Sequence, residues 1–74
     1  MRTAEQRAYM IARTDAQRRA EKLEIEGNYA DALTLREAIA QASLRMRQSF
    51  IWLATDTLKR ALTETRPKQE VEHA

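Results

Sequence analysis

Residues 24–31, EIEGNYAD, contain the only glycine of this 74-residue chain, Gly27, and Asn28 follows it directly. Glycine adopts the left-handed backbone conformation that ends helices at low steric cost. Asparagine is a favourable N-cap for a helix that follows. Because long stretches of helix-forming residues lie on both sides, the sequence predicts two helices joined by a turn at residues 27–28.

The first predicted helix covers about residues 3–26 and the second about residues 29–65. Thr3 and Gln6 have the spacing of a capping box at the start of the first helix. Pro67 ends the second helix, since no breaker occurs before it. A two-residue turn places the helices antiparallel.

The predicted fold is therefore all-α, an antiparallel two-helix hairpin over residues 1–66, followed by a disordered polar tail at 67–74. A chain this short buries only about 60% of the surface of its unfolded form, so a single hairpin is marginal. There is no cysteine, and the only histidine, His73, lies in the tail. We therefore predict no disulfide, metal or cofactor, and expect stability to come from association with another chain.

The second predicted helix carries two apolar stripes, and one neighbouring helix cannot cover both. The first stripe faces a ridge of alanines that recurs every fourth residue on the first helix, Ala4, Ala8, Ala12, Ala16 and Ala20. Its members are Leu35, Ile39, Ala42, Met46, Phe50 and Leu53. The second stripe lies further round the helix and consists of Leu33, Ala40, Leu44, Ile51, Ala54, Leu58 and Leu62.

The length mismatch between the helices predicts an uncovered segment. The first helix reaches only to about position 53 of the second, so Leu58 and Leu62 are expected to lack intramolecular cover. This predicts a homodimer that forms a four-helix bundle, or a heterocomplex of the same geometry. The expected partner or dimer interface is Leu44, Arg47, Ile51, Trp52, Leu58 and Leu62.

Three residues that depart from the stripe pattern bear on that interface. Trp52 projects among polar residues and is interpreted as a contact anchor. Arg36 and Arg47 lie between the stripes, where they either lay their stems over apolar surface or pair with a carboxylate of the partner.

The sequence argues against an enzyme, because it has no glycine-rich phosphate loop and no Cys/His or Ser/His pairing within the predicted helices. No apolar run approaches the roughly 18 residues of a membrane span, which predicts a cytoplasmic protein with no membrane partner. A net charge of +2 does not by itself imply nucleic acid.

Nucleic acid is an alternative partner because ten of the thirteen basic residues are arginine. In size and architecture the predicted hairpin dimer resembles the plasmid RNA-binding Rop family, whose members read paired RNA loops along a helix face. That resemblance implies an RNA- or DNA-binding dimer, with a face supplied by Arg7, Arg13, Arg18, Arg19, Arg45, Arg47 and Arg60. Arg7 and Arg18, however, project in a different direction from Arg13.

The segment from Gly27 to Leu33, continued by Ala38 and Ile39, resembles the centre of a tetratricopeptide or MIT-type hairpin, which places Gly-x-Tyr-x-x-Ala-Leu at the start of its second helix. The resemblance implies the turn geometry, and one hairpin is not an array of repeats.

The segment Leu35–Ala42 is similar to the second helix of small type III secretion hairpin co-chaperones. The overall size and architecture resemble short phage proteins that bind and disable host regulators, including quorum-sensing anti-activators. Both resemblances imply a helical surface that sequesters another protein. The function predicted from the sequence is a non-enzymatic module that docks on another protein and inhibits or sequesters it.

Overall fold

The computed structural model describes residues 3–65, which form three α-helices and no strand. Helix α1 runs Ala4–Ile25, α2 runs Tyr29–Arg47 and α3 runs Ile51–Glu64, and each helix packs against the other two. The all-α prediction is therefore confirmed. The prediction of one continuous helix over residues 29–65 is wrong, because that segment forms two helices.

Side chains cap the first two helices at their N-termini. At the start of α1 the Thr3 hydroxyl oxygen accepts a hydrogen bond from the backbone N–H of Gln6 (3.1 Å), and the Gln6 side-chain oxygen accepts one from the backbone N–H of Thr3 (3.0 Å). At the start of α2 the Asn28 side-chain oxygen accepts from the backbone N–H of Asp31 (3.5 Å). These contacts satisfy N–H groups that have no partner inside the helix.

The turn between α1 and α2 is built around Gly27, whose φ is +83°. The backbone N–H of Gly27 donates to the carbonyl of Glu24 (3.1 Å), and that of Asn28 donates to the carbonyl of Leu23 (2.8 Å). This pair of hydrogen bonds is the Schellman motif, which requires a left-handed residue at the position of Gly27.

The turn between α2 and α3 repeats the same hydrogen bonds without a glycine. Ser49 has a φ of +68°, the only positive value at a non-glycine position among the described residues. The backbone N–H of Ser49 donates to the Met46 carbonyl (3.0 Å), and that of Phe50 donates to the Arg45 carbonyl (2.8 Å). Left-handed backbone is not the preferred conformation of serine. For this reason the residue types at the second turn do not indicate a helix end. The sequence therefore predicted one helix that continues through residues 48–50.

The second turn folds α3 back over the hairpin, so the predicted overhang does not exist. Leu58, which was expected to lack intramolecular cover, is fully buried, and that expectation is wrong. Ala54 and Ala61 are buried beside it, and Ile51 and Leu62 are half-buried against the core. The second half of the second stripe is thus the core face of α3.

The core consists of small residues around a few larger apolar side chains. Leu23, Leu35 and Leu58 are fully buried, and Tyr9 of α1 belongs to the same buried cluster. The buried residues around them are mostly alanines, which let the helix backbones approach closely: Ala12, Ala16, Ala20, Ala32, Ala38, Ala42, Ala54 and Ala61. The alanine ridge predicted on the first helix is therefore buried from residue 12 to residue 20 and exposed at residues 4 and 8.

Two polar contacts hold the C-terminal end of α3 in place. The Arg19 guanidinium of α1 donates from Nη1 to the backbone carbonyl of Leu62 (2.7 Å). The buried Thr65 hydroxyl donates to the Ala61 carbonyl. The tail at 67–74, predicted to be disordered, lies outside the described residues.

Candidate protein-docking face

The outward side of α2 carries a row of exposed apolar residues. Tyr29, Leu33, Ala40 and Leu44 are separated by four, seven and four positions, which places them on one side of the helix. The three large side chains are 68%, 58% and 52% exposed, respectively. We call these four residues the α2 outer face.

The α2 outer face lies across the helix from the residues that α2 contributes to the core. Ala32, Leu35, Ala38 and Ala42 are buried against α1 and α3. At 100° per residue the centres of the two apolar rows are roughly 150° apart. Helix α2 is therefore apolar on two opposite sides, and only one of them is covered within the described chain.

Charged side chains border this face. Arg36 reaches across to α1, where its Nη2 and Nε donate to the two carboxylate oxygens of Glu24 at 3.1 and 3.4 Å. The hydrogen bond that Arg36 donates to Glu24, together with the negative charge of that carboxylate, raises the pKa of the Arg36 guanidinium. Of the two alternatives, Arg36 pairs with a carboxylate, but that carboxylate belongs to its own chain and not to a partner. Glu37 and Arg47 are exposed further along the helix.

The structure does not bring all the predicted interface residues onto one surface. Leu44 belongs to the α2 outer face and Arg47 lies beside it, whereas Trp52, Ile51, Leu58 and Leu62 belong to α3. Of these, Trp52 is 65% exposed and Leu58 is buried. The remaining two predicted site residues, Gly27 and Asn28, form the first turn.

Tyr29, Leu33 and Ala40 were not among the predicted interface residues, although they complete the exposed row. Leu33 and Ala40 were visible in the sequence as members of the second stripe. They were not assigned to the interface because the same stripe continues into residues that belong to α3.

Trp52 lines a groove of about 270 Å³ between α1 and α3. The other lining residues are mostly polar or charged: Glu5, Ala8, Thr55, Asp56 and Lys59. Trp52 is thus the one aromatic side chain of this groove, whereas the row on α2 presents three large apolar side chains.

The arginines expected to form a nucleic-acid face have several different environments. Arg19 bonds the Leu62 carbonyl, and Arg60 pairs with Asp56 on the same helix (3.0 Å). Arg45 is half-buried, and its Nε is out of contact with solvent. The seven expected arginines are distributed over all three helices, and two of them, Arg19 and Arg60, bond groups of their own chain.

Comparison of the chain with protein-family models, curated proteins and solved structures finds no match. Within residues 3–65 no three histidine, cysteine or acidic side chains come together as a metal site would need. No helix in the same range combines the length and apolar character needed to span a membrane. The described chain thus leaves the apolar side chains of the α2 outer face uncovered.

Proposed function

We propose that this chain is a non-enzymatic protein-binding module that docks on another protein through the α2 outer face and thereby inhibits or sequesters it. The observation that carries the proposal is the row of three large apolar side chains, each more than half exposed, on one helix. Removing a leucine side chain fully from water is favourable by about 1.5–3 kcal/mol, so completing the burial of Leu33 or Leu44 contributes roughly half of that before the entropic cost of association.

The spacing of the row suits docking by a helix. Residues at i, i+4, i+11 and i+15 contact a partner along one line, as an amphipathic helix does in an apolar groove or against a second helix. Because the opposite side of α2 is fixed in the core by Leu35, the row is presented by a preorganised element. Such a surface acts by occupying part of another protein, which fits inhibition or sequestration.

The homodimer expected from the sequence is part of this proposal, with a changed interface. Helix α3 covers the core of its own chain, so the residues of the expected overhang are not free for association. The α2 outer face is the surface that we propose for association instead. Two chains that meet through this face bring together six helices, so the four-helix bundle expected from the sequence is not part of the proposal.

The test is affinity capture with three forms of the chain as bait: the native form, a Leu33→Ser/Leu44→Ser double variant, and Ile11→Ser. Ile11 is the matched control because it is 58% exposed, as Leu33 is, but lies on α1. We expect the native and Ile11→Ser baits to retain the same protein, and the double variant to lose it. Equal retention by all three baits, with circular dichroism showing equal helix content, would contradict the proposal.

Salt separates this function from nucleic-acid binding. Contacts between arginines and phosphates weaken steeply between about 50 and 200 mM salt, whereas apolar docking does not. We expect capture to persist at the higher salt concentration. Recovery of RNA or DNA that is lost at 200 mM salt and is insensitive to the Leu33→Ser/Leu44→Ser change would support the nucleic-acid alternative.

A further inference from the structure

A groove of about 540 Å³ lies between α2 and α3. Two buried alanines, Ala38 and Ala61, line it, and their small side chains leave a trough between the helices. The lining of α2 is centred roughly 100° round that helix from the α2 outer face, at 100° per residue. The groove is therefore a different surface from the one on which the proposed function depends.

The charges of the groove are separated along its length. Because a short turn joins α2 to α3 and α3 folds back along α2, Arg45 lies at the end near the turn, whereas Glu37 and Glu64 lie toward the other end. Between them, Arg60 pairs with Asp56 at 3.0 Å, so each of these two charges is offset by the other. The groove thus has a positive end, a neutral centre and a negative end.

The charges at both ends have no partner within residues 3–65. Neither Glu37 nor Glu64 forms an ion pair there, and the Arg45 side chain forms no hydrogen bond or ion pair. The Nε atom of Arg45 is out of contact with solvent, so the packing of the fold holds the guanidinium in place at the border of the groove. A guanidinium that is already fixed loses little conformational freedom when its remaining N–H groups bind a carboxylate.

The centre of the groove offers groups that suit a peptide backbone. Gln41 supplies a side-chain amide, which both donates and accepts hydrogen bonds. The Thr57 hydroxyl donates to the Leu53 carbonyl at 2.8 Å, and its oxygen can still accept a hydrogen bond from an N–H group.

The distance between the unpaired charges defines the ligand. Glu37 and Arg45 are eight positions apart on α2, which is about 12 Å along the helix axis. In an extended chain two residues four positions apart are separated by about 13 Å, and their side chains point to the same side. We propose that the groove binds an extended segment of another protein in which a basic and an acidic residue are four positions apart. The acidic residue pairs with Arg45 and the basic residue with the carboxylates at the other end.

Trp52 provides the signal for a direct test, because it is the only tryptophan of the chain and lines the Arg45 end of the groove. The probe is the peptide acetyl-Lys-Ala-Ala-Ala-Glu-amide, whose blocked ends carry no charge. The matched control is acetyl-Lys-Glu-Ala-Ala-Ala-amide, which has the same composition but adjacent charges. We expect titration with the probe to change the tryptophan fluorescence and the control to bind about threefold more weakly or worse, because it can satisfy only one end of the groove.

Variants of the full chain locate the binding. Arg45→Gln should weaken binding of the probe about threefold or more, since it removes the unpaired guanidinium. Arg47→Gln removes the same charge from an exposed position of α2 outside the groove and should leave binding unchanged. Arg45→Glu should reverse the preference, so that acetyl-Lys-Ala-Ala-Ala-Lys-amide binds more tightly than the probe. A reversed preference also shows that the variant is folded.

Three results would overturn the inference. The first is equal affinity of the native chain for the probe and the control peptide. The second is an equal effect of Arg45→Gln and Arg47→Gln. The third is binding of the probe only by a Lys68→Gln/Glu72→Gln chain, which would assign the groove to residues 66–74 of the chain itself and not to another protein.

These outcomes are independent of the proposed function. Capture of a protein through Leu33 and Leu44 uses the α2 outer face, so it should persist in Arg45→Gln whether or not the groove binds the probe. Binding of the probe by the Leu33→Ser/Leu44→Ser variant, with no protein captured by the native chain, would support the groove and contradict docking through the α2 outer face.

Discussion

Leu44 and Leu58 belong to one apolar stripe in the sequence, yet they have opposite environments in the structure. Leu44, on α2, is 52% exposed, and Leu58, on α3, is fully buried. The two leucines are fourteen positions apart, close to four helical turns, so a continuous helix would place them on the same side. The turn at residues 48–50 separates them.

The difference shows that the periodicity of a stripe defines a face only within one helix. If residues 29–64 formed one straight helix, the residues that α2 and α3 bury in the core would point in directions roughly 140° apart, at 100° per residue. The turn at Ser49 removes that difference by redirecting α3, so both helices face the same core. Two stripes on one predicted helix are therefore also the pattern expected of two consecutive helices that each use one stripe.

The largest expected effect comes from removing each leucine in turn. Leu58→Ala should lower the free energy of unfolding by about 2–5 kcal/mol, because it leaves a cavity in the core. Leu44→Ala should change it by less than about 0.5 kcal/mol, because the side chain is half in water. Urea unfolding followed by circular dichroism measures both.

The comparison requires a chain concentration at which the native protein has the mass of one chain, so that loss of a dimer does not add to the effect of Leu44→Ala. Equal losses of stability from the two variants would mean that α3 does not cover the hairpin and that the overhang expected from the sequence exists.

The first turn could be predicted from the sequence and the second could not, although their hydrogen bonds are equivalent. Gly27 and Asn28 are residue types that favour a helix end and a helix start. Ser49 adopts the same left-handed backbone, but serine is not enriched there, and Phe50 makes no side-chain cap for α3. The second turn forms because tertiary packing of Leu58 and its neighbours outweighs a local preference that is weak.

The candidate site was predictable in part for the same reason. Leu44 was identified as a member of the second stripe and Arg47 from its position between the stripes. Both are exposed because they lie on the side of α2 that faces away from the core. Leu58 was misplaced because its cover comes from a chain reversal that no local residue type indicates. The exposed position of Trp52 follows from the polar residues around it, which keep that side of α3 in water.

Enlarging an alanine of the second stripe should change the free energy of unfolding less than truncating Leu58 does. The change should again be larger on α3 than on α2. Ala54→Leu places extra methylene groups in a core position of α3 that is fully buried, and should cost about 1–3 kcal/mol. Ala40→Leu adds the same groups on the exposed side of α2, and should change stability by less than about 0.5 kcal/mol. Thermal unfolding of the two variants measures the contrast, and a stable Ala54→Leu protein would show that the α3 face is less closely packed than the structure indicates.

The smallest expected effect concerns the turn that creates the contrast. Ser49→Gly should raise the free energy of unfolding by about 0.5–1 kcal/mol, because glycine has no steric penalty at a positive φ and this gain exceeds its entropic cost. Gly27→Ala should lower it by about 1 kcal/mol; a Cβ at Gly27 meets no atom within 4 Å, so the cost is backbone strain alone. The sign of the stability change caused by Ser49→Gly distinguishes the two folds, because in a continuous helix over residues 29–65 the same substitution would destabilise the protein. Chemical unfolding of the native chain and the two variants therefore measures whether the second turn exists.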